Sequence, residues 1–184
     1  YAQGEIDWET VKNSGLVDFA MIRAGYGQGS LDDFWLRNVQ ECTRLKIPFG
    51  VYWFSYAYSP ERAKREAQYC LGAIAPYKLS YPVAFDFEYA SADYIAKKGV
   101  TLTKQLASDM ARAFLDTIKA GGQHPMLYTN ADYLSRYFDA SLAKDYDVWL
   151  AQWPTGTPNL SKPPRECGIW QYANDGVVPG ITAN

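Results

Sequence analysis

The sequence predicts an α/β fold with a mainly parallel sheet, a single domain over residues 1–184, and three observations carry this reading. Short apolar runs alternate with segments of helical spacing, an order that joins parallel strands through right-handed crossovers. The apolar runs are continuous, as when both faces of a sheet are covered. Toward the C-terminus the helices drop out, which points to an irregular barrel closed by antiparallel pieces. A parallel barrel and a doubly wound sheet both fit the alternation.

The elements follow in order. Asp7 is the expected N-cap of a first helix, with Ile6 and Val11 as a hydrophobic staple around it. Residues 17–23 form an apolar run ending in Arg-Ala-Gly-Tyr-Gly, and residues 32–46 have helical spacing through Trp35, Val39, Cys42 and Leu45. Residues 49–55 (FGVYWFS) read as a strand. Ser59 and Pro60 then supply the N-cap and first turn of a helix whose stripe is Ala63, Ala67, Cys70, Leu71 and Ile74. Residues 82–88 are the next strand, followed by a polar loop. Thr103 caps a helix striped by Leu106, Met110, Phe114 and Ile118 and closed by Gly121-Gly122. Residues 125–129 are a strand and 132–138 a short helix. Residues 147–153 and 167–173 are strands joined by an irregular loop, 154–166, with four prolines. Asn174-Asp175-Gly176 signals a turn that would start a hairpin. No strand precedes the first helix, and residues 180–184 stop where another strand would begin. The expectation is a chain trimmed of its first and last strands, with open edges.

Composition bounds the function. At 184 residues, 48% hydrophobic and 21% charged, the chain is long enough for one proper core. A net charge of −2 argues against nucleic-acid and anionic-membrane partners. The 15 Tyr, 6 Trp and 8 Phe suit the apolar faces and hydroxyls of sugars, and equally an ordinary core. Cys42, Cys70 and Cys167 lack metal-type spacing; core thiols fit better than a disulfide framework. No stretch approaches the roughly 20 apolar residues of a membrane span.

The chemistry centres on residues 82–88, Pro-Val-Ala-Phe-Asp-Phe-Glu. Residues two apart on a strand share a face, so Asp86 and Glu88 emerge side by side at its C-terminal end, where parallel α/β folds place their sites. Two acids that close have their pKa values driven apart, giving one proton donor and one anion, the equipment for glycosidic cleavage. A strand turning polar where it meets solvent is the alternative. Arg23 ends a strand among apolar neighbours and needs a partner, either a cleft carboxylate or a structural ion-pair acid. Tyr56 and Trp153 stand at C-terminal strand ends, where side chains line a cleft or pack. The single histidine, His124, begins a strand, at the stability end of such a fold, so Ser-His-Asp and His-rich zinc chemistry are excluded. Gly25, Gly27 and Gly29 imitate a dinucleotide loop, but its third glycine falls on Ser30 and no acidic ribose ligand follows; they read as a flexible loop. No cofactor and no metal is expected.

The segments IRAGYG, GVYWFSYA, PVAFDFE, MLYTN, DVWLAQW and GIWQY, in this order, resemble the glycoside hydrolase family 25 lysozymes along essentially the whole chain. The resemblance implies an irregular (β/α)5(β)3 TIM-like barrel and an N-acetylmuramidase that cuts bacterial peptidoglycan. It implies Glu88 as general acid and Asp86 as stabiliser of the substrate's acetamido group or of the developing positive charge. It carries the family's tyrosine onto Tyr128, its Trp-x-Ala-Gln motif onto residues 149–152, which include Gln152, and its Trp-Gln-Tyr onto residues 170–172, which include Gln171. Two further family aspartates would fall upstream of Tyr1 and downstream of Asn184, in keeping with a trimmed chain. The implied partner is the peptidoglycan glycan strand, with cell-wall-binding repeats outside this chain. The implied setting is extracellular, wall-associated or phage-encoded. A non-catalytic peptidoglycan-binding relative and an endoglycosidase acting on chitin-like polymers are the alternatives.

Overall fold

The computed structural model describes residues 4–182. Helix α1 (Trp8–Ser14) is capped by Asp7, whose carboxylate accepts from the Thr10 N–H, and Ile6 and Val11 are both buried beside it. Strand β1 (Ala20–Tyr26) turns through Gly27 and Gly29, both at positive φ, into the two-residue β2 (Ser30–Leu31). Then come α2 (Trp35–Arg44), β3 (Phe49–Phe54), α3 (Pro60–Ile74), β4 (Val83–Asp86), α4 (Tyr89–Lys97) and α5 (Lys104–Ala120). The chain continues through β5 (Pro125–Asn130), α6 (Ala131–Tyr137), α7 (Leu142–Asp145), β6 (Asp147–Ala151) and β7 (Ile169–Gln171).

One seven-stranded sheet has the order β2-β1-β3-β4-β5-β6-β7; all neighbours run parallel except β1 and β2. The helix-facing row Ile22, Val51, Val83, Phe85, Leu127, Val148 and Leu150 is almost wholly buried, and α3 and α5 pack over it with Ala67, Cys70, Ala111 and Phe114. The opposite face is only half buried at Met21, Tyr52, Tyr128, Trp149 and Ile169. In a flat sheet β1 and β7 would lie roughly 24 Å apart at the usual strand spacing. Instead Met21 of β1 and Ile169 of β7 border one cleft of about 710 Å³. The sheet therefore curls as in an irregular TIM-like barrel, with the half-buried face inward. The first and last described segments meet: Ile6 bridges Ile181 in antiparallel sense, and the Asp7 N–H donates to the Gly180 carbonyl at 2.9 Å.

Four expectations are corrected. The strands are covered fully on one face only; the other face lines the cleft. The C-terminal strands are not antiparallel: β7 lies parallel to β6, with Trp149 opposite Ile169, because the long loop between them carries the chain back across the sheet. The presumed polar loop after Glu88 is α4. No hairpin follows Asn174-Asp175-Gly176 among the described residues; the chain runs instead to the bridge at Ile181. Ala183 and Asn184, where a further strand was expected to begin, lie outside the described residues. Among those residues no helix is long and apolar enough to cross a membrane.

Candidate active site

Asp86 is the last residue of β4, and Glu88, two residues on, is still extended (φ −136°, ψ −171°) as the N-cap of α4. The period of two thus survives past the strand end. Phe85 and Phe87 turn toward the helices and are fully buried, while both acids border the cleft. Ser91, itself buried, fixes the turn by accepting the Glu88 N–H on its Oγ at 3.2 Å. Asp86 is 3% exposed and Glu88 is half buried, so Glu88 presents its carboxyl to the cleft in front of Asp86.

The electrostatics follow from this depth difference. Burial pushes the Asp86 carboxyl well above the carboxylate range, and the Glu88 charge and their mutual hydrogen bond push it further; Arg23 opposes the rise. Burial also raises Glu88, whereas the hydrogen bond from Asp86 lowers it. Burial thus favours the protonated form at both carboxyls, and more strongly at the deeper Asp86. Burial and the two acids also raise the Tyr52 and Tyr128 hydroxyls, which therefore stay protonated as donors. The Gln171 side chain hydrogen-bonds the Tyr128 hydroxyl. Tyr128 and Tyr52 pack edge-on against the Trp149 ring at 4.6 and 6.1 Å.

The buried Asp86 Oδ1 acceptor and the buried Trp149 Nε1 donor both lack a protein partner among the described residues. A buried polar atom left unpaired costs about 1–3 kcal/mol, so a polar ligand group that meets it is favoured. Among the described residues no cluster of three or more His, Cys, Asp or Glu side chains could hold a metal ion.

The expected site residues divide into three groups. Tyr128 and Gln171 join Asp86 and Glu88 in the cleft. Arg23 and Tyr56 border a second cavity of about 450 Å³ with Tyr26 and Phe54. There Arg23 is ion-paired to buried Asp32 at 2.6 Å and lies over the Tyr26 ring. Gln152 and Trp153 do not border the cleft. The Gln152 backbone is tied to Gln171 and Trp170, and Trp153 is 53% exposed. Sequence reasoning missed Tyr52 as a site residue and left Trp149 unassigned within its motif. The parallel register would have found them: Tyr52 faces Ala84, Asp86 faces Tyr128, and Tyr128 faces Trp149, one inward row beside the acids.

At the opposite ends of the strands a cavity of about 670 Å³ holds His124, hydrogen-bonded to Asp147 at 2.7 Å across β5 and β6. That contact clamps two strand starts and lies away from the acids.

The family model described as glycosyl hydrolases family 25 matches residues 1–181. The modular autolysin LytC of Streptococcus pneumoniae superimposes with a TM-score of 0.80 at 26% identity, covering 98% of this chain and 42% of that one. A second structure of that autolysin is a complex with a synthetic peptidoglycan ligand. A family 25 glycosyl hydrolase from Bacillus anthracis gives 0.76 at 24% identity over 97% of this chain and 78% of that one. The lysozyme of Streptomyces coelicolor gives 0.73 at 22% over 99% and 84%. No curated protein matches the sequence. The chain spans less than half the length of the pneumococcal autolysin, and over that span the family match is nearly complete: it belongs to glycosyl hydrolase family 25.

Proposed function

We propose that this chain is a peptidoglycan hydrolase, an N-acetylmuramidase that cleaves the β-1,4 bond between N-acetylmuramic acid and N-acetylglucosamine. The observation that carries the reading is the Asp86–Glu88 pair, two hydrogen-bonded carboxyls of unequal depth on one wall of an open cleft. Glu88 is the group within reach of a glycosidic oxygen and gives up the proton; Asp86 behind it is the proton's resting place and resupplies it. Once Asp86 has passed the proton on, its charge stabilises the oxocarbenium-like centre. The unpaired Asp86 Oδ1 and Trp149 Nε1 offer an acceptor and a donor, the complement of an acetamido N–H and C=O. Tyr128, held by Gln171, adds a neutral hydroxyl beside the acids. Two hydrogen-bonded carboxyls on one wall leave the opposite face of the sugar to the substrate's own acetamido group, whose attack there gives retention of configuration. The ligand of the pneumococcal autolysin supports peptidoglycan as the substrate class. We place its action outside the cell or at the wall, as released by a bacterium or a phage.

The test is digestion of purified peptidoglycan with analysis of the new reducing ends. N-acetylmuramic acid at those ends is expected. N-acetylglucosamine ends, or release from muramic-acid-free chitin at a comparable rate, would overturn the assignment.

A further inference from the structure

Tyr89 is unlike the other tyrosines near the acids. It directly follows Glu88, opens α4, and at 57% is the most exposed aromatic side chain among the described residues. Burying a ring of this size is ordinarily favourable, a gain that Tyr89 largely forgoes. Yet it is not a loose surface residue. Its ring packs against Tyr133 at 4.7 Å and 61°, an edge contact that leaves a ring face uncovered by this partner. Tyr133 is 5% exposed, touches Tyr137 at 4.9 Å and Phe87 at 6.2 Å, and has its N–H tied to Asn130 Oδ1 at 2.9 Å. Asn130 ends β5, next to the strand that carries Asp86. A half-exposed ring is therefore propped on the core one residue from the proton donor.

We infer that Tyr89 is a stacking platform for a pyranose of the same β-1,4-linked glycan strand, a saccharide subsite beyond the cleft that holds the scissile bond. The axial C–H bonds of such a sugar form an apolar face with slight positive charge, and the ring face presents the opposite quadrupole. Its equatorial hydroxyls and acetamido group stay in water, as an exposed platform requires. The occupant is the next sugar of the strand because Tyr89 opens α4 and its partner Tyr133 lies in the first turn of α6, so both stand beyond the C-terminal ends of the neighbouring parallel strands β4 and β5, the end of the sheet that carries Glu88. This inference rests on the hydrolase reading for the identity of the strand.

The test measures binding separately from cleavage. Wild type, Tyr89→Ala and Tyr89→Trp, all in a Glu88→Gln background so that the glycan binds without being cut, are titrated calorimetrically with a β-1,4 N-acetylglucosamine–N-acetylmuramic acid hexasaccharide and with the corresponding disaccharide. The preference for hexasaccharide over disaccharide should fall about tenfold in Tyr89→Ala and be restored in Tyr89→Trp. An unchanged preference overturns the platform, as does a wild type that does not bind the hexasaccharide. Unchanged melting temperatures show that the fold is intact; if Tyr89→Ala melts early, Tyr89→Leu, which keeps bulk on Tyr133 without a π face, replaces it with the same expected loss. Should the ratio shift while the protein with Glu88 in place releases no reducing ends from cell walls, the platform stands and the hydrolase reading falls.

Discussion

Replacing Glu66 by Gln should make the protein's stability less sensitive to pH, by an amount the structure supplies. Glu66 lies on α3 with no exposed area, and both of its oxygens are engaged. Oε2 accepts from the Ser55 hydroxyl at 2.7 Å; Oε1 accepts from the Tyr56 N–H at 3.1 Å and from Gln28 Nε2 at 3.4 Å. Burial outweighs these hydrogen bonds and the nearby Arg62, raising the carboxyl from 4.5 to about 7. A carboxyl raised on folding binds its proton more tightly in the native state. Its contribution is complete below pH 4.5 and is lost as pH rises through about 7. At 1.36 kcal/mol per pKa unit the swing is roughly 3 kcal/mol. Gln keeps the shape, still accepts from Tyr56, and lets the Ser55 hydroxyl rotate to accept from its amide. Urea unfolding of both proteins at pH 5 and pH 8 isolates the effect, because Asp86 and Glu88, raised in the same sense, cancel in the difference. The mutant should gain about 2–3 kcal/mol relative to wild type across that interval. A difference that does not move with pH would show that Glu66 ionises at an ordinary pH and that burial is compensated inside this network.

Three further outcomes are expected. Glu88→Gln should lower wall lysis by about 10²–10⁴-fold with an unchanged melting curve, since the amide keeps the shape but has no proton to give; turbidity loss at near wild-type rate would remove Glu88 from its role. The pH–rate profile of lysis should be a bell displaced upward from the ordinary carboxylate range on both limbs, because burial raises both acids of a pair that must carry one proton; a rate still at its maximum at pH 4 would contradict this. Gly25→Ala should destabilise by about 1–3 kcal/mol, because a Cβ at this β1 position meets the Ser30 carbonyl and the buried Trp53 ring; thermal melting within a degree of wild type would show that the β1–β2 turn yields.

What the sequence disclosed depended on how local the cause was. Ser59-Pro60 and Thr103 start α3 and α5 where expected, because a cap is a contact within four residues: Ser59 and Thr103 accept from the N–H groups of Arg62 and Leu106. The acid pair was equally legible, since the period of two acts between neighbours. Helix α4 was missed because of its nine residues only Ser91 and Ile95 are buried, and its cap is a glutamate, so neither an apolar stripe nor a usual capping residue marks it. The direction of β7 was misjudged because a loop's composition records its length and irregularity, not the side from which the chain returns. Gln152 and Trp153 share a motif with Trp149, yet only Trp149 enters the cleft; proximity in sequence is not proximity on the inward face.

The one-sided sheet resolves a conflict in the chemistry. A general acid needs burial to keep its proton at neutral pH, and it needs access to hand that proton over. A closed barrel packed with side chains would give Asp86 burial and no substrate. A solvated strand end would give access and an ordinary carboxyl pKa. Here the curl brings Met21 and Ile169 to one cleft without filling it, and the two requirements fall on different residues. Asp86, deep on β4, takes the burial. Glu88, one extended step beyond the strand, takes the access, and in the proposed mechanism the hydrogen bond between them lets the pair act as one donor. The spacing of two carboxylates by a single phenylalanine is then a structural requirement. Phe87 turns into the core against Phe138 and Tyr133 and holds both acids on the opposite side. Inserting or deleting one residue there would put a carboxylate under α5 and a ring in the cleft.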